Sequence, residues 1–105
     1  MEWELKQEMA NLADKKNESE DDRKKFHNFV INNIKNFDLQ AWSIFIELID
    51  IIPEEMERDF EFWKMIHKYI KKSEDTISKL DLRALIRIAY IETVCEDKLN
   101  MESNE

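Results

Sequence analysis

The sequence of 105 residues contains no glycine, and this absence limits the backbone conformations that the chain can adopt. Glycine is the residue that enters positive φ without steric cost, and tight hairpin turns and phosphate-binding loops need such positions. The absence therefore disfavours an antiparallel β-meander. It also excludes the glycine-dependent nucleotide-binding motifs, both the P-loop and the dinucleotide-binding type.

The composition predicts a folded domain rather than a disordered chain. Hydrophobic residues make up 43% of the sequence and include six Phe, three Trp and two Tyr, which is enough apolar surface to build a core. The length is that of one domain. We therefore predict a single all-α domain over residues 1–99, followed by a frayed tail at residues 100–105.

The spacing of apolar residues predicts four main helices and one weaker helix. The weaker one covers about residues 2–16, where Leu5, Met9 and Leu12 form a narrow stripe. The four main helices are predicted at about residues 20–36, 38–52, 53–72 and 82–98. Helix-helix packing is then the way in which these apolar faces are covered, so the expected architecture is a compact helical bundle.

Local signals mark the predicted helix starts. Ser19 with Asp22 three residues later is typical of a capped N-terminus. Asp38 is a favourable N-cap for the next helix, because its carboxylate can accept from the free amides of the first turn. Phe37 and Trp42 occupy the two positions of a hydrophobic staple around that cap.

The segment 38–52 is predicted to be the central, buried helix. Its polar residues fall in one narrow arc, and the remaining positions are apolar. Pro53 ends this helix and suits the first turn of the following one, where a missing amide proton costs nothing.

A faint internal repeat suggests two stacked helical hairpins. Residues 37–41 resemble residues 80–84 at an offset of 43. Apolar residues of the predicted helix 20–36 match those of the predicted helix 53–72 at an offset of 36. Two similar hairpins would place the chain among helical-repeat proteins. The alternative is that any two amphipathic helices align this well.

Three ionisable side chains fall within predicted apolar arcs, namely Asp59, His67 and Glu92. A buried carboxylate must be paired, capped or protonated. His67 with Glu92 would form an acid-base pair in a small hydrolase-type enzyme. The favoured alternative is a partly buried histidine bonded to a carbonyl or carboxylate, with Glu92 in water.

No metal or cofactor site is expected. The chain has two His and one Cys, and neither His lies in a metal-binding spacing. Cys95 falls on an inner arc with no basic neighbour in sequence, so we expect a buried, unreactive thiol.

One arc of the last predicted helix combines Arg83, Arg87, Tyr90 and Val94, on the side opposite its predicted core. Arginine and tyrosine are enriched at the centres of protein interfaces. This arc is therefore the predicted partner-binding site. The alternative is that this arc is a second buried face of the same helix.

Charge and segment length argue against nucleic-acid and membrane partners. A formal net charge of −8 disfavours direct binding of nucleic acid, which requires a cationic stripe. The acidic N-terminus is unlike a signal peptide, and no apolar segment is long enough to span a membrane. The single cysteine suits a reducing cytoplasm.

These observations favour a non-enzymatic, small acidic helical protein that binds and modulates or inhibits a larger protein partner, one with a basic surface. In size and class alone, bacteriocin immunity proteins and phage-encoded inhibitors are of this kind. The alternative is a helical-repeat subunit of a larger assembly such as an RNA-protein particle, with a homo-oligomer also open. An enzyme using His67 and Glu92 is the third hypothesis.

Overall fold

The computed structural model describes residues 1–103, and these residues form helices and no strand. The prediction of an all-α chain is therefore confirmed. The seven α-helices within the described range, with one 3-10 turn at Ile34–Asn36, are α1 (Trp3–Lys15), α2 (Glu20–Asn33), α3 (Leu39–Leu48), α4 (Pro53–Arg58), α5 (Phe60–Lys72), α6 (Glu74–Ile77) and α7 (Leu82–Ser103).

The described chain divides into two compact units. The first is Met1–Ile49 and contains α1 to α3, and the second begins at Asp50 and contains α4 to α7. The prediction of a single domain over residues 1–99 stays a prediction.

In the first unit, α1 packs against both α2 and α3. Phe26 of α2 and Phe45 of α3 stack with their ring centroids 6.5 Å apart, and Met9 of α1 is fully buried. The buried face of α1 differs from the predicted stripe. Leu5 and Leu12 are only half-buried, whereas the buried positions beside Met9 are Lys6 and Ala13.

Side-chain caps begin α2 and α3 as predicted. The hydroxyl of Ser19 accepts from the backbone N–H of Asp22 at 3.0 Å, and Asp38 accepts from Ala41 N–H at 2.8 Å. The hydrophobic staple is also confirmed, because the rings of Phe37 and Trp42 meet edge to face at 5.3 Å. These contacts satisfy amides that have no partner within the helix.

The prediction of one helix over residues 38–52 was wrong at its C-terminal end. α3 ends at Leu48, and Ile49 is extended with φ −90° and ψ 150°. Ile52 precedes Pro53, which disfavours the helical region for it, and the intervening isoleucines are β-branched. The ammonium of Lys16 donates to the free carbonyl of Leu48 at 3.0 Å, so a side chain caps this helix end.

The predicted helix over residues 53–72 is two helices. Asp59 interrupts it with φ −106° and ψ 34°, which places this residue between α4 and α5. Aspartate competes with the helical backbone for hydrogen bonds and favours such boundary positions. Its carboxylate accepts from Arg58 Nη2 at 2.9 Å, so this part-buried acid is paired with a charge.

Two further boundaries differ from the predictions. The segment between the predicted helices 53–72 and 82–98 contains the short helix α6, whose Ile77 is buried. The last helix continues past residue 98 to Ser103, because no glycine or proline follows Leu99 to end it. Four residues of the predicted frayed tail are therefore helical, while residues 104 and 105 lie outside the described residues.

The second unit is built around α5 and α7, which pack against each other. Trp63, Ile66 and Ile70 of α5 are buried. From α7 the core receives Ala84, Ile88, Ile91 and Cys95. Spacings of three and four residues give each helix one continuous apolar face.

The internal similarity extends from sequence to burial and capping. Asp81 accepts from Ala84 N–H at 2.9 Å, as Asp38 does from Ala41, and both alanines are buried. Equivalent apolar positions of α5 and of α2 with its following 3-10 turn have the same degree of burial. The buried pairs are Phe26 with Phe62, Val30 with Ile66, and Ile34 with Ile70. That the two units form a true repeat of stacked hairpins stays a prediction.

A buried lysine that sequence patterning missed joins α1 to the start of α3. The side chain of Lys6 is 7% exposed, and its ammonium donates to Asp38 at 3.0 Å and to Gln40 at 2.8 Å. Burial raises the pKa of Asp38, but the hydrogen bonds from Ala41 N–H and Lys6 outweigh it. The pKa of Asp38 therefore lies below its ordinary value of 3.8.

Two substitutions of Asp38 separate the stability contributed by its N-cap hydrogen bond from the stability contributed by its charge. Asp38→Asn keeps an N-cap acceptor and loses the charge, whereas Asp38→Ala loses both, so we expect Asp38→Ala to be the less stable of the two by about 1 kcal/mol. Because the pKa of Asp38 is depressed in the fold, its charge stabilises above the ordinary value of 3.8 and this stabilisation is lost as pH falls through the folded pKa. Urea denaturation followed by circular dichroism at several pH values measures both effects.

The control for this comparison is Asp14→Ala, which removes an exposed carboxylate near the end of α1. It should leave stability within about 0.5 kcal/mol of the wild type. Equal stability of Asp38→Ala and Asp38→Asn would show that the cap contributes nothing.

Trp42 provides a test of core packing. Its side chain is fully buried, and its indole N–H has no hydrogen-bond partner among the described residues. We expect Trp42→Ala to cost about 3–5 kcal/mol, because it leaves a large cavity. Trp42→Phe should cost about 1 kcal/mol or less, since loss of the unpaired N–H offsets part of the smaller cavity.

Thermal and urea unfolding, followed by circular dichroism, measure both costs. Trp3→Ala is the control, because Trp3 is 57% exposed. A Trp42→Phe variant as unstable as Trp42→Ala would contradict the prediction.

Candidate functional site

The outward side of α7 carries a row of large apolar side chains. Leu82, Ile86 and Tyr90 are 73%, 60% and 44% exposed. They are four residues apart and therefore lie along one side of the helix, away from the buried face. We refer to these three residues as the outer stripe. Scattered apolar residues are normal on a surface, but a contiguous row marks a candidate interaction surface.

The predicted partner-binding residues lie on one flank of this stripe. Tyr90 belongs to it and Arg83 is exposed, but Arg87 and Val94 are half-buried. As partner-binding residues, all four stay predictions.

The exposed side of α7 differs from the predicted one because a different face of the helix is buried. The inner arc that contains Cys95 would also place Leu85 and Leu99 in the core, but both are only half-buried, whereas Ala84 and Ile91 are buried. The buried face is thus rotated around α7, and the opposite face rotates with it. The regular spacing of Leu82 and Ile86 with Tyr90 is the signal in the sequence that could have identified the outer stripe.

Beside the outer stripe, α5, α6 and α7 enclose an open depression of about 450 Å³. Its apolar lining comes from Ile70, Ile77, Leu85, Ile88 and Ala89. Its polar lining comes from Glu74, Ser78, Glu92, Thr93 and Glu96, with three carboxylates and no basic residue. We refer to this feature as the acid-rimmed groove.

An ionic cluster between α5 and α7 holds two of these carboxylates. Lys71 donates to Glu92 at 2.8 Å and lies 3.4 Å from Glu96. The hydrogen bond and charge of Glu92 raise the pKa of Lys71. Hydrogen bonds from His67 and Lys71 lower the pKa of Glu96. Exposed pairs of this kind orient side chains more than they stabilise the fold.

The structure places His67 beside Glu96 rather than beside Glu92. The His67 ring nitrogen Nε2 is 3.4 Å from Glu96 Oε1, and the His67 side chain is 15% exposed. Glu92 is instead the partner of Lys71. The acid-base pair considered in the sequence analysis is therefore not among the contacts of either residue.

Cys95 lies in the core beneath a second, smaller depression of about 210 Å³. Its side chain is 1% exposed, and its thiol is 3.7 Å from the carbonyl of Trp63. Burial, together with the charges of Glu96 and Glu92, raises the pKa of Cys95 to about 11. A thiol with a raised pKa is a poor nucleophile because little thiolate is present.

Two further findings concern the described residues as a whole. None of the helices in this range has the length and apolar composition needed to cross a membrane. Within the same range, no group of three or more His, Cys, Asp and Glu side chains is arranged to hold a metal ion.

No protein-family model, curated protein or solved structure matches this chain.

The reactivity of Cys95 tests its environment. Because the pKa of Cys95 is raised from 9.0 to about 11, the thiolate fraction near pH 8 should fall about 100-fold, and burial should slow labelling further. We expect Ellman's reagent to react at least about 100-fold more slowly with the folded protein than with the same chain unfolded in guanidinium chloride. Similar rates in the two states would show that Cys95 is accessible.

Proposed function

We propose that this protein is a non-enzymatic binding protein that modulates or inhibits a larger protein partner. The observation that carries the proposal is the outer stripe, in which Leu82, Ile86 and Tyr90 lie exposed on a helix whose opposite face forms the core. Docking would remove this apolar surface from water, at about 25 cal/mol per Å² before the costs of association.

Charge favours a partner with a basic surface. Residues 50–105 contain 14 acidic and nine basic residues, so the part of the chain that carries the outer stripe is acidic. Such a surface speeds encounter with a cationic protein and disfavours direct contact with nucleic acid. A reducing cytoplasm is the proposed location, since it suits the lone cysteine.

A second candidate function is that of a subunit in a larger assembly, such as an RNA-protein particle or a homo-oligomer. The shared pattern of burial and capping in the two units favours it, because helical repeats commonly build extended binding surfaces. Recovery of additional copies of this chain, or of a multi-subunit particle, would distinguish this function from the first.

The outer stripe is tested by Ile86→Asp, which places a charge at its centre. We expect the wild-type protein to capture a specific partner from its native host at low salt. In a purified pair, Ile86→Asp should weaken that complex at least about tenfold in Kd, because a buried unpaired charge opposes docking. Titration calorimetry of the purified pair gives the measurement.

Ile52→Asp is the matched control, since Ile52 is also exposed and lies outside α7 at the N-cap position of α4. Aspartate is favourable at an N-cap, so this variant should fold and bind as the wild type does. The proposal fails if no partner is recovered at low salt, or if the two variants bind equally well.

A further inference from the structure

We infer that the acid-rimmed groove binds a cationic amphipathic helix of a partner protein, with its apolar residues in the groove and its Lys or Arg residues against the rim. This inference rests on the proposed function and specifies the chemistry of the partner. It concerns a different surface of α7 from the outer stripe.

The floor of the groove fits apolar side chains. Ile70, Ile77 and Ile88 line it, and its volume of about 450 Å³ is within the range of about 300–1,000 Å³ found for ligand-binding clefts. An amphipathic helix presents apolar side chains on one face at spacings of three and four residues, and it docks into grooves of this kind.

The rim determines the charge of the occupant. Glu74, Glu92 and Glu96 contribute three carboxylates, and the ammonium of Lys71 is shared between two of them. Glu74 forms no ion pair with any of the described residues. The rim therefore has an excess of negative charge that a Lys or Arg side chain can neutralise, and it repels phosphate and anionic lipid headgroups.

The ionic cluster restrains two carboxylates of the rim before a partner binds. Lys71 holds Glu92 at 2.8 Å and Glu96 at 3.4 Å, and His67 also contacts Glu96. These contacts limit the side-chain freedom of two carboxylates before a partner arrives. Less conformational entropy is then lost when the cationic helix docks.

The test uses two labelled synthetic peptides with leucine at identical helical positions, one with lysine and the other with glutamate at the remaining positions. Fluorescence anisotropy with the full chain should show binding of the lysine peptide and none of the glutamate peptide. Affinity should fall when salt is raised from about 0.05 to about 0.2 M, because exposed charges are screened over shorter distances. Equal binding of both peptides would contradict the inference.

Two variants localise the site. Glu74→Lys reverses one rim charge and should weaken binding of the lysine peptide about three- to tenfold. Ala89→Tyr fills the groove from an exposed position of α7 and should abolish binding. Glu61→Lys is the matched control, since it makes the same charge change at an exposed position at the other end of α5, and should alter binding less than about twofold.

Circular dichroism and thermal unfolding establish that each variant is folded. If Glu61→Lys weakens binding as much as Glu74→Lys, the peptide responds to overall charge and the inference is wrong. It is also wrong if sedimentation shows a wild-type dimer that Ala89→Tyr dissociates, since a second copy then occupies the groove. A natural partner that loses binding to Ile86→Asp but binds Glu74→Lys and Ala89→Tyr normally would overturn this inference and leave the proposed function standing.

Discussion

Side chains complete several helix ends of this protein, in a chain that has no glycine and no positive φ among its described residues. Ser19, Asp38 and Asp81 accept from amides at the starts of α2, α3 and α7. Lys16 donates to carbonyls at the ends of α1 and α3. Lys6 then joins α1 to the cap at Asp38. These polar contacts fix where helices begin and end, and they therefore determine which apolar faces can meet.

The second unit uses the two sides of α7 differently. One face supplies Ala84, Ile88, Ile91 and Cys95 to the core, and the other exposes the outer stripe. Between them lies the acid-rimmed groove, whose carboxylates are partly held by Lys71. In the proposed function, a helix that both completes the core and exposes apolar surface would present the partner with a preorganised element.

The side chains considered as catalytic candidates have other side chains as partners or are buried. His67 contacts Glu96, and Glu92 contacts Lys71. The Cys95 thiol is buried and its raised pKa disfavours thiolate. Asp59, which the sequence analysis placed within an apolar arc, is part-buried and paired with Arg58. The contacts of His67 and Glu92 are therefore not those on which the hypothesis of a hydrolase using this pair was based.

The sequence by itself determined the helical class, the caps at Ser19 and Asp38, and the hydrophobic staple of Phe37 with Trp42. These features depend on capping residues and on the spacing of apolar residues, and both can be read directly from the sequence. Only the tertiary structure decided where α3 ends, which carboxylate His67 contacts, and which face of α7 remains exposed. Periodicity gives each helix an apolar side, but its rotation and its ionic partners depend on neighbours that are distant in sequence. The grouping of residues into the outer stripe and the acid-rimmed groove therefore depends on tertiary packing.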